Sequence, residues 1–259
     1  MDADYRGCLA ELRGRDLLPP SYLAVYAGGS LVRGWGNARS DLDIYVVSGS
    51  RWQSREAQLA PVGLHPDTVP VEGRHVDGVR WDIEYWLAGQ VDELFDKVSA
   101  SRLEGMQPAG QHLTDAEVGF LDKLRHSVPI DGERWWRTWR TVLAERPVPA
   151  IMALRALHHH DIHTEDALGQ LAAGDVHSAV LSVKIAWRHA VEALLASHGE
   201  FGESPKWLAR RFRAARPAQL AFEDYWAVET MRSYDPADPG RWVDEVLGLC
   251  QRIATGIEL

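Results

Sequence analysis

The stretch AGGSLVRGWGNARSDLDIYVV, residues 27–47, decides how this sequence is read. A Gly-Ser pair, Gly29 and Ser30, stands ten residues ahead of Asp41-Leu42-Asp43, and the aspartates run straight into the β-forming LDIYVV. Side chains two positions apart on a strand share a face. Asp41 and Asp43 therefore project together, while Leu42 and Ile44 turn the other way. Two parallel carboxylates repel one another unless divalent cations share them. Trp81-Asp82-Ile83-Glu84-Tyr85 repeats the pattern on a second strand. Pairing those strands gathers three or four carboxylates, enough to hold two Mg²⁺ ions about 3.5–4 Å apart as in two-metal phosphoryl transfer. Upstream, Gly29 leaves room for a phosphate at the backbone, and Ser30 supplies a hydroxyl and an N–H. If Ser30 opens a short helix, its free N–H groups add to the anion site.

The rest of the composition sets bounds. With 46% hydrophobic and 25% charged residues among 259, the chain reads as one large or two ordinary globular domains. No apolar run is long enough to cross a bilayer, and the charged start MDADYRGCLAELRGRD does not read as a signal peptide. Cys8 and Cys250 sit far apart and make neither a disulfide framework nor a zinc motif. The chain reads as cytoplasmic. The net charge is −9, and both halves are acidic. A long nucleic acid is a poor partner for such a surface; a small neutral or cationic acceptor suits it better.

The apolar period assigns a helix to 2–17, stopped by Pro19-Pro20, then strands at Tyr22–Ala27 and 42–47. Residues 51–60 are expected to be helical. An edge strand at 69–71, a turn at Asp77-Gly78 and a third main strand at 79–87 follow. A helix is expected over 91–99, then a loop to Pro108. From Thr114, which forms a capping box with Glu117, everything reads as helical: 115–127, 132–145, 149–172, 176–198, 205–215, 217–233 and 240–257. The architecture is an α/β domain of about 120–130 residues followed by a helical bundle.

Gly29-Ser30, ten residues, Asp41-Leu42-Asp43 and a later apolar-Asp-apolar strand together resemble the DNA polymerase β nucleotidyltransferase superfamily. The fuller string G-S-L-V-R-G-W-G-N-A-R-S-D-L-D is similar to its small-molecule branch, notably kanamycin nucleotidyltransferase and other aminoglycoside adenylyltransferases. The resemblance covers residues 27–47 and 80–86, and a helical second domain fits its layout. It implies an α+β fold, with a mixed-sheet nucleotidyltransferase domain over 1–128 and an all-α bundle over 129–259. It also implies a role for each residue. Gly29 and Ser30 would hold the β- and γ-phosphates, and Asp41 and Asp43 would bind both metal ions. A third carboxylate, Asp82 or Glu84, would bind one metal and help deprotonate the acceptor hydroxyl. The implied cofactors are two Mg²⁺ ions with a nucleoside triphosphate donor, ATP being the first choice. The implied partner is a small molecule bearing a hydroxyl, and a homodimer stays open.

Other residues are weighed against plainer roles. Arg33 and Arg39 flank the motif, and Arg33 is preferred slightly as a phosphate contact. Ser40 matches the family pattern but also suits a turn cap. Lys206 follows Ser204-Pro205 at a helix start, where a lysine is unfavourable without an anion nearby. The resemblance makes it a phosphate ligand; a solvated surface lysine is the equal alternative. His158, His159, His160 and His163 lack the partners of a zinc site and read as helix surface, interface or acceptor pocket. Trp135, Trp136 and Trp139 read first as core. Arg155 to His160 also fits the spacing of a helical ribonuclease domain, the basis of a toxin–antitoxin alternative. A non-catalytic nucleotide-binding regulator is the third reading, disfavoured by the intact carboxylates.

Overall fold

The computed structural model describes residues 5–101 and 113–258. The start of the helix expected over 2–17 and most of the loop up to Pro108 lie outside the described residues. Residues 5–101 and 113–146 pack as one unit, and residues 147–258 as another.

In the first unit, alternation of apolar and polar residues builds a six-stranded mixed sheet. Its strands are β1 (Tyr22–Gly28), β2 (Leu42–Ser48), β3 (Gln58–Pro61), β4 (Thr68–Val76), β5 (Val79–Leu87) and β6 (Val128–Asp131). Their spatial order is β3-β4-β5-β2-β1-β6. The pair β2–β5 is parallel, and every other pair is antiparallel. One face of the sheet carries Val25, Ala27, Leu42, Ile44, Val46, Trp81, Ile83 and Tyr85, packed with Leu12 and Leu17. Leu12 belongs to α1 (Arg6–Gly14). The alternate residues Tyr26, Tyr45 and Trp86 form an aromatic layer with Phe120 of α4 (Asp115–Arg125). Tyr26 stacks on Tyr45 at 5.1 Å between ring centres.

Two further helices complete the unit, α3 (Ala88–Lys97) and α5 (Glu133–Glu145), with α2 (Gly29–Val32) as a single turn after β1. The capping box at Thr114 is present: Glu117 N–H donates to Thr114 Oγ1, and Thr114 N–H donates to Glu117 Oε2. The fully buried Glu117 also accepts from Gly63 N–H at 2.8 Å and from Lys97 Nζ at 3.0 Å. One carboxylate thus ties a loop and α3 to the start of α4.

The second unit consists of α6 (Val148–Ala172), α7 (Val176–Ser197), α8 (Leu208–Ala215), α9 (Phe222–Glu229) and α10 (Pro239–Thr255). A tight turn at residues 173–175 joins α6 to α7, and Asp175 caps α7 by accepting from Ser178 N–H. Val183, Trp187, Val191, Leu194, Phe212, Tyr225, Trp242 and Val246 fill the core.

The α+β class and the helical second part stand as expected from the sequence. Four expectations fail. Residues 51–60 are not helical: Trp52 lies flat on Tyr85 at 4.8 Å and donates to the buried Glu72, which holds the segment extended toward β3. The chain after Thr114 is not wholly helical, because β6 adds to the edge of β1. With β6 and α5 packed into the first unit, the boundary falls after Arg146 rather than after residue 128. The helix expected over 217–233 forms only at Phe222–Glu229, where Phe222 and Tyr225 pack on Phe212.

Candidate active site

The parallel pairing of β2 with β5 sets Asp43 directly beside Asp82. Both project from the face that carries Tyr45 and Trp86, since alternate residues share a face. Asp41 comes one residue before β2 and is close enough to push Asp43 electrostatically. Burial raises the Asp43 carboxyl above the ordinary range most strongly; Lys123 pulls it back down, and Asp41 and Asp82 push it up again. The ladder prevents the strands from spreading, so the repulsion has to be met by cations. Lys123 Nζ on α4 stands 3.2 Å from Asp43 Oδ1 and 5.6 Å over the Tyr45 ring. Arg80 Nε donates to Asp82 Oδ1 at 2.9 Å.

The glycine turn adjoins this pair. Gly29 has φ +77°, a left-handed conformation that suits glycine. A Cβ there would lie 1.8 Å from Asp43 Oδ2, so the backbone meets the carboxylate with no room for a side chain. Gly28 plays a second part. A Cβ on it would stand 3.0 Å from Lys123 Cβ, so α4 crosses β1 at close range and delivers Lys123 to Asp43. Ser30 lies in α2, which begins at Gly29 rather than at Ser30, and its carbonyl accepts from Trp35 N–H and Gly36 N–H.

Among the described residues, no three His, Cys, Asp or Glu side chains already stand so as to hold a metal ion. The chemistry of Asp41, Asp43 and Asp82 still fits a hard divalent cation. The donors are all carboxylate oxygens, two are locked side by side, and their mutual repulsion registers on Asp43. Glu84 does not join them. Its Oε1 accepts from Tyr45 OH at 2.8 Å and its Oε2 from Trp86 Nε1 at 2.9 Å, which ties it into the aromatic layer. Of the two candidates for the third carboxylate, Asp82 is the one in register with Asp43.

The fold can now be set beside known proteins. No family model and no curated sequence matches the chain. A solved structure does: a nucleotidyltransferase-like protein from Exiguobacterium sibiricum 255-15, with TM-score 0.53 and 10% identity over 96% of this chain and 74% of that one. The fold is nucleotidyltransferase-like. At that identity the likeness concerns the path of the backbone, and no residue role passes across it.

The remaining candidates take other positions within this fold. Arg33 packs its guanidinium 3.6 Å from the Trp35 ring centre, with Nη1 3.6 Å from Asp122 Oδ1. Arg39 is exposed. Ser40 Oγ accepts from Asn37 N–H at 2.9 Å and closes the turn before Asp41. Lys206 belongs to the second unit, exposed in a 3₁₀ turn at Pro205–Trp207, with Nζ 5.5 Å from the Trp207 ring. Ser204 precedes that turn without a side-chain capping bond. In α6, His160 is buried and bonded to Asp161 and Thr164. His159 and His163 stack on His189 of α7, at 5.1 and 5.9 Å. Trp136 is core and donates to Ser127, whereas Trp135 and Trp139 are partly exposed.

Lys123 and Arg80 went unread in the sequence. Arg80 had a signal, lying two positions from Asp82 on the same strand face. Lys123 had none, since its relation to Asp43 depends on where α4 crosses the sheet.

Proposed function

We propose that this chain is a metal-dependent nucleotidyltransferase. It would move a nucleoside monophosphate, AMP from ATP first, to a hydroxyl of a small molecule such as an antibiotic or natural-product intermediate. The observation that carries the reading is Asp43 beside Asp82 on parallel strands, with the Gly29 backbone pressed against Asp43. The fold likeness and the acidic charge of the chain support it. The resemblance of residues 27–47 to kanamycin nucleotidyltransferase favours a small acceptor.

In this reading Asp41, Asp43 and Asp82 hold two Mg²⁺ ions. When bound, the ions neutralise charge at the phosphates and acidify the acceptor hydroxyl. The chain's own groups do the rest. Gly29 and Ser30 admit the triphosphate to the backbone beside Asp43. Asp82 takes the proton as the acceptor oxygen bonds to the α-phosphorus, and the bond from that phosphorus to the β-phosphate oxygen breaks, releasing pyrophosphate. Lys123, freed from Asp43, becomes a counter-charge for the phosphates. The gain is chiefly in positioning and charge neutralisation.

A mass-spectrometric screen tests this. The protein is combined with Mg²⁺, each of the four triphosphates and a panel of hydroxyl-bearing antibiotics and metabolites. The expected result is an acceptor heavier by one nucleoside monophosphate, lost in the Asp41→Asn/Asp43→Asn double variant. Equal products from both proteins would remove the aspartates from the mechanism.

A further inference from the structure

The second unit encloses a cavity of about 270 Å³ between α7, the turn at Pro205–Trp207, α8 and α9. It lies within the helical unit and owes nothing to the carboxylates of the sheet. Its apolar walls are Trp187, Leu208, Tyr225 and Val228, each buried. Three ionisable side chains also line it: Lys184, Arg188 and Glu229.

The polar groups are unevenly satisfied. Trp187 Nε1 donates to Glu229 Oε1 at 3.1 Å. Arg188 Nη2 lies 3.2 Å from His189 Nε2, but its Nε is buried with no hydrogen-bond partner among the described residues. A buried guanidinium N–H without an acceptor is costly, and such groups are usually matched by something. Lys184 is exposed, with Nζ 3.7 Å from Met231 Sδ. Both cations stand within electrostatic range of Glu229, yet burial still pushes its carboxyl above the ordinary range. The lining therefore holds two cationic side chains and one carboxyl group, with Glu192 also within electrostatic range of Arg188.

Size and surface narrow the occupant. Drug-sized ligands fill pockets of about 300–1,000 Å³, so this cavity suits a single ring and is too small for a nucleoside triphosphate. Indole and phenol walls favour an aromatic ring. An arginine one helical turn from a lysine favours a carboxylate. The Glu229 carboxyl offers a hydrogen-bond partner to a polar substituent on the ring.

We propose that this cavity binds a single-ring aromatic carboxylate. The ring packs on Trp187 and Tyr225, the carboxylate meets Arg188 and Lys184, and a ring hydroxyl meets Glu229.

Calorimetry on the full chain, with saturation-transfer NMR for weak ligands, tests it. The probe is 4-hydroxybenzoate. The comparators are 4-hydroxybenzyl alcohol, which removes the charge, and 4-hydroxybenzylamine, which reverses it. The acid is expected to bind one per chain, about tenfold or more tighter than the alcohol, with the amine weakest. Arg188→Gln should weaken the acid by about tenfold or more. Lys184→Gln is a surface change that leaves the fold intact and should weaken it several-fold. Glu229→Gln should leave benzoate binding in place and narrow the preference for the hydroxylated acid. Tighter binding of the amine, acid binding unmoved by both Arg188→Gln and Lys184→Gln, or no acid binding at millimolar concentration would each overturn the proposal.

Discussion

The two units of this chain face the same electrostatic problem and meet it differently. In the sheet unit, Asp43 and Asp82 are fixed side by side by a hydrogen-bond ladder and cannot move apart. Cations meet the repulsion: Lys123 on Asp43 and Arg80 on Asp82. In the helical unit, His159, His163 and His189 are brought together across α6 and α7. There His189 lies 2.9 Å from Glu192 and His163 lies 3.6 Å from Asp166, while His159 is biased toward its neutral form. Burial first, then His189, Arg155, His158 and His163, hold His159 below the usual imidazole range. Permanent charges call for counter-ions and leave a site that divalent cations can take over. A titratable group such as His159 can lessen the repulsion by giving up its proton. This contrast is why the sheet unit is the better candidate for chemistry that handles phosphate charge.

Several measurements would break or sharpen the contrast. The largest effect is expected from Asp43→Asn, which keeps the shape and removes the charge. Nucleotidyl transfer should fall by about 10³-fold while thermal unfolding barely moves. An active variant would place the chemistry elsewhere. Glu117→Ala comes next and acts on stability. It removes a buried acceptor from Lys97 and from Gly63 N–H. The expected cost is about 3 kcal/mol, read as a fall in melting temperature of roughly 10 °C. A change below two degrees would show that Glu117 is not the anchor described.

Gly29→Ala tests the close approach itself. The added methyl meets Asp43 Oδ2 and the left-handed backbone is lost to strain. Transfer should fall roughly 10²-fold through misplacement of the carboxylate, with a loss of about 1–3 kcal/mol in stability. Lys123→Gln should lower kcat/KM about tenfold, with the effect growing at low Mg²⁺. An unchanged kcat/KM would reduce Lys123 to a structural partner. The smallest effect belongs to the histidines. His159 has a folded value below its unfolded one, so the unfolded chain binds the extra proton first as pH drops through about 6.5. Stability is full above that pH and is lost as pH falls through it. His159→Gln should flatten the fall of melting temperature between pH 7 and pH 5; parallel curves for the two proteins would contradict this.

How far the sequence alone could go follows from how each group is placed. Asp43 and Asp82 were readable because strand alternation is local: each sits between apolar residues that show which way the chain faces, and Asp41 lies two positions before Asp43. The difference between Asp82 and Glu84 was not readable. Both carry the same pattern, and it is the register of β5 on β2 that hands Glu84 to Tyr45, while Trp86 two positions along β5 donates to its other oxygen. Lys123 was invisible for a similar reason, since only the crossing of α4 over Gly28 brings it to Asp43. β6 escaped notice because four residues around Pro129 hold too little pattern to stand out between two helices, although β1 supplies the edge that makes them a strand. The helix start at Thr114 with Glu117 was read correctly, whereas Ser204 makes no side-chain cap. The unit boundary was misplaced for lack of β6.

Manganese binding measured by electron paramagnetic resonance, in the presence of a non-hydrolysable ATP analogue, bears most directly on the paired carboxylates as a metal platform. Two spin-coupled ions per chain are expected, with the coupling abolished in Asp43→Asn and in Asp82→Asn. Coupling or stoichiometry unchanged by both substitutions, or no manganese bound with the analogue present, would contradict the account.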